Sequence, residues 1–342
     1  MELSPRDARD RFLARRSQEN TPQTVRSYRN RLTRFVEWTE EQGIESMGEL
    51  SGWDLDEYRA ARERADVAPT TLKGQMMAVK QLLDYLETID VVDDGMGEKV
   101  NIPKLSREEE TSDEKLVTED ATASLTFYRS SQRHFGKPEH AFLEVAWHVG
   151  ARMSGIRALD LGDFDADRRT LEFRHRPPTR LKNKDDGERI VGLSKQVTRA
   201  LRTYIVRERY EKRDESGREP LFSCRQGRPS DSTFRAWSYL STQPCVSRVC
   251  PHGQRRPSCE YVHRNHASKC PSSRSPHAIR TGSITWQLNQ GLEIETVSKR
   301  VNASPAVIRR FYDKAKRREE FEERRRDQTI NLDIQSGETN AN

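Results

Sequence analysis

Apolar residues recur at three- and four-residue intervals over most of this chain, the spacing that puts side chains on one face of an α-helix. Val25, Tyr28, Leu32, Phe35, Val36 and Trp38 follow that period behind Thr21-Pro22-Gln23-Thr24. There Thr21 reads as an N-cap and Pro22 as the first helical residue. Pro69-Thr70-Thr71 opens a similar stretch, with Leu72, Met76, Val79, Leu82, Leu83 and Leu86 on its apolar side. Helices are also predicted near 5–18 and 53–64, so residues 1–100 read as a helical domain. From 101 to 117 the period fails, and Pro103 and a run of acids read as a linker with little to bury. Periodicity resumes at Thr118, and residues 118–328 read as a second, mostly helical region. It holds helices near 141–149, 195–211, 277–290, 293–301 and 305–323, a strand-like hairpin near 169–193, and then a polar tail at 329–342. The predicted fold class is mainly α with a small antiparallel β-sheet. The longest uninterrupted apolar run is four residues, Met76 to Val79. That is far short of the roughly 20 needed to span a bilayer. No secretory signal is visible at the N-terminus, and the expected location is cytoplasmic, with the nucleoid.

Composition sharpens this picture through charge. The chain has 342 residues, a length that suits about two domains, and 60 Lys and Arg against 54 Asp and Glu, a net charge of +6. The excess is uneven. Residues 107–120 carry seven acids against Arg107 and Lys115, whereas residues 245–280 carry seven bases against Glu260. The acidic run reads as a solvated face. The basic stretch, interleaved with aromatics and candidate metal ligands, reads as phosphate contact.

Four pieces of the second region carry candidate chemistry. Gly150-Ala151-Arg152-Met153-Ser154 ends a helix; Thr179-Arg180-Leu181-Lys182-Asn183-Lys184 sits at the hairpin turn; Pro276-His277-Ala278-Ile279-Arg280 opens a helix; and Arg309-Arg310-Phe311-Tyr312 lies further on. Together they resemble the tyrosine recombinase (phage integrase) family, in an archaeal- or viral-like variant. The first resembles its Gly-x-Arg-x-Ser box and the third its His-x-x-Arg box, and the 32 residues from Arg280 to Tyr312 match its spacing from that arginine to the nucleophile.

The resemblance implies a helical, SAM-like core-binding domain, an acidic linker and a catalytic domain, clasping double-stranded DNA at specific sites. It implies a site-specific recombinase of a mobile or viral element, working as a homo-tetramer on paired sites, with a DNA-bending accessory protein as a further partner. Residues 299–327, with eleven bases and six acids, would bind DNA and dock on a neighbouring subunit. Arg152 and Arg280 would clamp the scissile phosphate, Tyr312 would attack it to form a 3′-phosphotyrosine, and Lys182 would protonate the leaving 5′-hydroxyl. His277 would bond the phosphate or act as base at the tyrosine. The chemistry is coherent without a metal or ATP. Charge builds on the non-bridging oxygens, and arginine's planar fork binds them bidentately. Lys184, two residues from Lys182, is the alternative acid. A type IB topoisomerase-like nicking enzyme and a non-catalytic DNA-binding or replication-control protein are the competing readings.

Three positions depart from the family pattern. Ala303 stands 23 residues after Arg280, where the family has a second histidine or a tryptophan, and neighbouring Asn302 is the candidate substitute. Gly155 stands where an acid follows the first box, and Thr281 where histidine is common.

One segment exceeds the pattern. Residues 243–272 hold Cys245, Cys250, Cys259 and Cys270 with His252, His263 and His266. Four cysteines with few apolar neighbours cannot build a core, and Cys245-x4-Cys250 fits a ligand pair, so a structural Zn²⁺ is the expectation. Free thiols and disulfides are the alternatives.

Overall fold

Ser4, Thr21 and Ser51 each turn a side-chain oxygen onto the backbone N–H three residues ahead, and each begins a helix there. In the computed structural model, which describes residues 2–315 and 317–326, these are α1 (Pro5–Glu19), α2 (Pro22–Glu41) and α3 (Gly52–Arg64). With α4 (Pro69–Glu87) they enclose a core that includes Phe12, Leu32, Phe35, Tyr58, Met76 and Leu83. Phe35 and Tyr58 meet edge to face, ring centroids 5.1 Å apart. The predicted polar tail lies outside the described residues.

The chain divides into two compact units, 1–112 and 113 onward. The first ends beyond a single helical turn, α5 (Arg107–Glu110), capped reciprocally by Ser106 and Glu109. The acidic stretch is less bare than the sequence implied. Asp113 pairs with Lys314 at 2.9 Å, Asp120 pairs with Arg248, and Leu116 is buried in the second unit's core.

That second unit is built around α7 (Pro138–Val149), most of whose residues are buried. Against it pack α6 (Thr118–Ser130), α9 (Lys195–Arg207), α10 (Asp231–Ser241) and α11 (Pro276–Asn289). Helix α8 (Met153–Ala158) leads to a three-stranded antiparallel sheet in the order β1 (Phe164–Asp165), β2 (Thr170–Phe173), β3 (Arg189–Gly192). Leu171 pairs with Val191, and both turn inward. The connection between β2 and β3, residues 174–188, is a long loop rather than a tight hairpin turn.

Two further expectations need correction. Helix α10 was not foreseen in the sequence, although Phe234 and Ala236 are buried on it. The single helix expected at 305–323 is broken. After α12 (Ile294–Val301), α13 (Pro305–Val307) passes into a wide turn, Ile308–Tyr312, closed by Asp313 N–H donating to Ile308 C=O at 2.8 Å. The chain then leaves the helix, because Thr285 Oγ1 donates to Tyr312 C=O and accepts from Lys314 N–H, and α14 (Arg317–Glu320) starts afresh.

Candidate active site

Gly150 ends α7 at φ +67°, a left-handed conformation that glycine adopts without strain. The reversal points its carbonyl at α11, where Arg280 Nη1 donates to it at 2.6 Å and to Val301 C=O at 2.8 Å. Two residues on, Arg152 is the N-cap residue of α8, and its Nη1 donates to Asn302 C=O at 2.6 Å. The two arginines of the sequence motifs are thus anchored at the C-terminal ends of α7 and α12.

Arg280 is 2% exposed, yet among the described residues its Nε and Nη2 have no hydrogen-bond partner. Buried donors left unpaired cost free energy, so such an edge marks a place for an anion. Burial pulls the guanidinium down to about 10; Tyr312 opposes that shift and Arg152 adds to it. The Tyr312 ring lies below, its centroid 4.7 Å from the guanidinium carbon. Tyr312 is buried in a small cluster with Ile308, Val297 and Ala303. It packs on Ile308 and also faces the arginine.

Ser275, not His277, caps α11, which frees the imidazole. It stands at the rim with its centroid 5.5 Å from that of Tyr312. Partial burial, then the charges of Arg280 and Arg152, hold it below the usual histidine range. Neutral imidazole, able to accept a proton, is therefore the favoured form near pH 7.

Lys182 is exposed on the β2–β3 loop, with no hydrogen bond or ion pair among the described residues. Its neighbour Asn183 donates from Nδ2 to Asn302 Oδ1 at 2.8 Å, which ties the loop to the end of α12.

Sequence reasoning missed two arginines here. Arg189 spreads over the Phe173 ring at 4.0 Å and donates to Gly187 C=O and Arg300 C=O, both at 2.8 Å. Burial first, then Arg280, Arg152 and Arg300, bring it down to about 10. Arg300 donates to Gly192 C=O at 3.1 Å and His148 C=O at 3.0 Å. Arg152, Arg189, Arg280 and Arg300 all bond backbone carbonyls, and among the described residues none pairs with a carboxylate. Other guanidinium groups of this unit are neutralised by carboxylates. Arg129 grips Glu144 bidentately at 2.7 and 2.8 Å, and Arg228 lies between Asp160 and Asp214. Arginines without carboxylate partners, one of them over a tyrosine ring, fit a polyanion such as a phosphodiester.

Residues 10–88 match the family model "Phage integrase, N-terminal SAM-like domain". Tyrosine recombinase XerD of Mycobacterium leprae is 24% identical over 301 residues, covering 84% of this chain and 85% of that protein. Over most of its length the chain is similar to the tyrosine recombinases. It is a site-specific recombinase, an enzyme that cleaves and rejoins DNA. Its fold is that of the Tn1549 transposon integrase solved with a circular intermediate DNA (TM-score 0.62, 12% identity, 90% of this chain and 95% of that one). A lambda integrase tetramer bound to a Holliday junction is also similar (TM-score 0.61, 10% identity, 92% and 79%).

The zinc expectation finds no support. Among the described residues no group of three or more His, Cys, Asp or Glu side chains is placed to hold a metal ion. Cys245, Cys250, Cys259 and Cys270 are free thiols that do not converge. Polar contacts organise the segment instead. Gln243 Nε2 donates to Tyr261 C=O at 2.6 Å, Arg256 Nη1 donates to Gln243 Oε1 at 3.2 Å and to Cys245 Sγ at 3.0 Å, and buried Ser273 donates to Ala267 and Cys270 carbonyls. Four short 3₁₀ turns follow one another there without a longer helix. No helix of the described residues is long and apolar enough to cross a membrane.

Proposed function

We propose that Tyr312 is the nucleophile and that Arg152, Arg280, His277 and Lys182 complete the site. The observation that carries this reading is the unpaired edge of Arg280 above Tyr312, inside a cluster of arginines without carboxylates. A scissile phosphate there would take its non-bridging oxygens onto Arg280 Nε and Nη2 and onto Arg152. The Tyr312 oxygen bonds to phosphorus as the P–O5′ bond breaks. The phenol proton passes to His277 or solvent, and a proton from Lys182 goes to the departing O5′. Bond energy stays in the 3′-phosphotyrosine, so a second 5′-hydroxyl religates without ATP.

The DNA partner is double-stranded, held at specific sites by both units, and the working assembly is a tetramer on paired sites, by analogy with the lambda integrase tetramer. Localisation follows from this partner: the recombinase acts wherever the element's DNA lies, with an accessory bending protein where its sites require one. Residues 299–327 contribute less free charge than their count suggests. Within the described part, Lys314 is held by Asp113 and Arg324 by Asp313.

A nicked suicide duplex carrying the element's flanking sequence tests this reading. A covalent 3′-adduct, lost in Tyr312→Phe, is expected, and recombinant product from two such sites but not from random DNA. Relaxation of supercoils without sequence preference would instead favour the topoisomerase-like activity. No adduct on any duplex would leave a non-catalytic DNA-binding protein. Lys182→Ala against Lys184→Ala identifies the acid, the slower variant being the one that lacks it.

A further inference from the structure

We propose that Asn302 is a positioning residue that docks the Lys182 loop onto the Arg152 arm of the phosphate clamp. The proposal rests on the reading of Lys182 as general acid and adds how that acid is held.

Asn302 follows α12 with φ +54° and ψ +61°, the left-handed region that asparagine tolerates better than most residues. That backbone turn aims its carbonyl at Arg152 Nη1, 2.6 Å away. Its side-chain Oδ1 meanwhile accepts from Asn183 Nδ2 at 2.8 Å. One residue thus grips the clamp with its main chain and the residue beside Lys182 with its side chain. A glycine would satisfy the backbone at lower strain but would offer no amide, so the side chain answers to the loop.

The far end of the loop converges on the same place. A Cβ on Gly187 would stand 2.7 Å from Asn302 Nδ2, so the amide is seated directly against glycine backbone. Arg189 then bolts Gly187 C=O to Arg300 C=O, two residues before Asn302. Among the described residues Lys182 has no partner of its own, so its position depends on these flanking contacts. Ala303, where the family pattern has histidine or tryptophan, makes no polar contact through its methyl. In this reading Asn302 does not replace the missing phosphate ligand; it takes a different task, fixing the acid relative to the clamp.

Substrates differing at one atom separate this role from a merely structural one. With sulfur in place of the bridging O5′, the leaving group departs as a thiolate and needs no proton. On the ordinary oxygen substrate, Lys182→Ala should slow single-turnover cleavage by about 10²–10⁴-fold. Asn302→Gly, which keeps the backbone turn, and Asn183→Ala should each slow it about tenfold, the loss expected from imperfect placement of a reacting group. All three should recover to near wild-type rate on the sulfur substrate, while Arg152→Lys should not. The Asn183→Ala/Asn302→Gly double variant should be no slower than either single variant, because both remove one bond. Lys182→Ala rescued by sulfur, with the asparagine variants unrescued or unslowed, overturns the positioning role alone. Lys182→Ala unrescued overturns the general-acid reading beneath it. Should Asn302→Gly fail to fold, Asn183→Ala decides by itself, since it leaves the α12 terminus untouched.

Discussion

Arg280 lies over the face of Tyr312, with its guanidinium carbon 4.7 Å from the ring centroid. The contact fixes the ring from above, and Nη1 is spent on Gly150 and Val301, so the other two donors remain for phosphate. Tyr312→Phe keeps the ring under the cation and removes only the nucleophile. The expected outcome is an unchanged thermal midpoint and no covalent adduct. Arg280→Lys keeps a charge but cannot hold both carbonyls and also present a two-donor edge. Its cleavage rate should fall about 10²–10³-fold, the usual cost of losing a preorganised donor to developing charge, as read by single-turnover kinetics.

Gly282 on α11 passes under the strand-like segment that carries Leu116. A Cβ there would meet Leu116 O at 1.9 Å and Trp147 at 3.0 Å, while Leu116 N–H donates to Ala278 C=O at 2.9 Å. Backbone cannot rotate away as a side chain can, so Gly282→Ala must push the segment off α11. A loss of at least about 3 kcal/mol is expected, at the upper end for overpacking, in thermal or denaturant unfolding. A midpoint within a degree or two of wild type would mean that the approach is looser than described.

The helices were legible because caps and period agreed. Thr21-Pro22 and Pro276 mark starts that the structure keeps. The two motif arginines and the tyrosine were legible through the resemblance to a family pattern, and Arg280, Tyr312 and His277 come together in the structure. What sequence could not show was the set of groups held by backbone. Arg189, Arg300 and the Asn302 carbonyl enter the site through hydrogen bonds to main chain, which leave no residue-type signature. The break after Tyr312 was hidden for the same reason: the apolar period continues through it, and only a tertiary bond from Thr285 ends the helix. The four cysteines have ligand spacing, which is necessary for a zinc site but does not make the thiols converge. The net charge was also opaque, since acids near the linker pair with bases from the C-terminal region, as Asp113 does with Lys314.

Arg228 offers a contrast with the active-site arginines. Its side chain is 4% exposed and lies 2.8 Å from Asp214, with Asp160 on its other side. Arg228→Met fills similar space but takes the nearest cation from both carboxylates, leaving Asp160 to Arg176 and Asp214 to Arg218 at 3.6 Å. A loss of up to about 3 kcal/mol is expected, less than for a charge left with no partner, which chemical denaturation would register. Restoring much of that stability in Arg228→Met/Asp214→Asn would show that the weakened charge pairing, not lost packing, is the cause.

His148 makes the recombinase's stability depend on pH. Burial first, then the charge of Arg300, hold its pKa down to about 4, and its Nε2 accepts from Ser194 N–H at 3.2 Å, which requires the unprotonated nitrogen. Glu144 on the same helix pulls the other way but is already engaged by Arg129 and His140. The unfolded chain regains a histidine pKa near 6.5. Between about pH 6.5 and 4 the unfolded state therefore binds the extra proton and the folded state does not. The contribution is complete above the unfolded value and lost as pH falls through this window, by up to about 3 kcal/mol. His148→Gln keeps an acceptor for Ser194 without a titrating ring. Its midpoint should fall less than wild type's between pH 7 and 5, even if it starts lower. Parallel curves for the two proteins would assign the acid sensitivity to other groups.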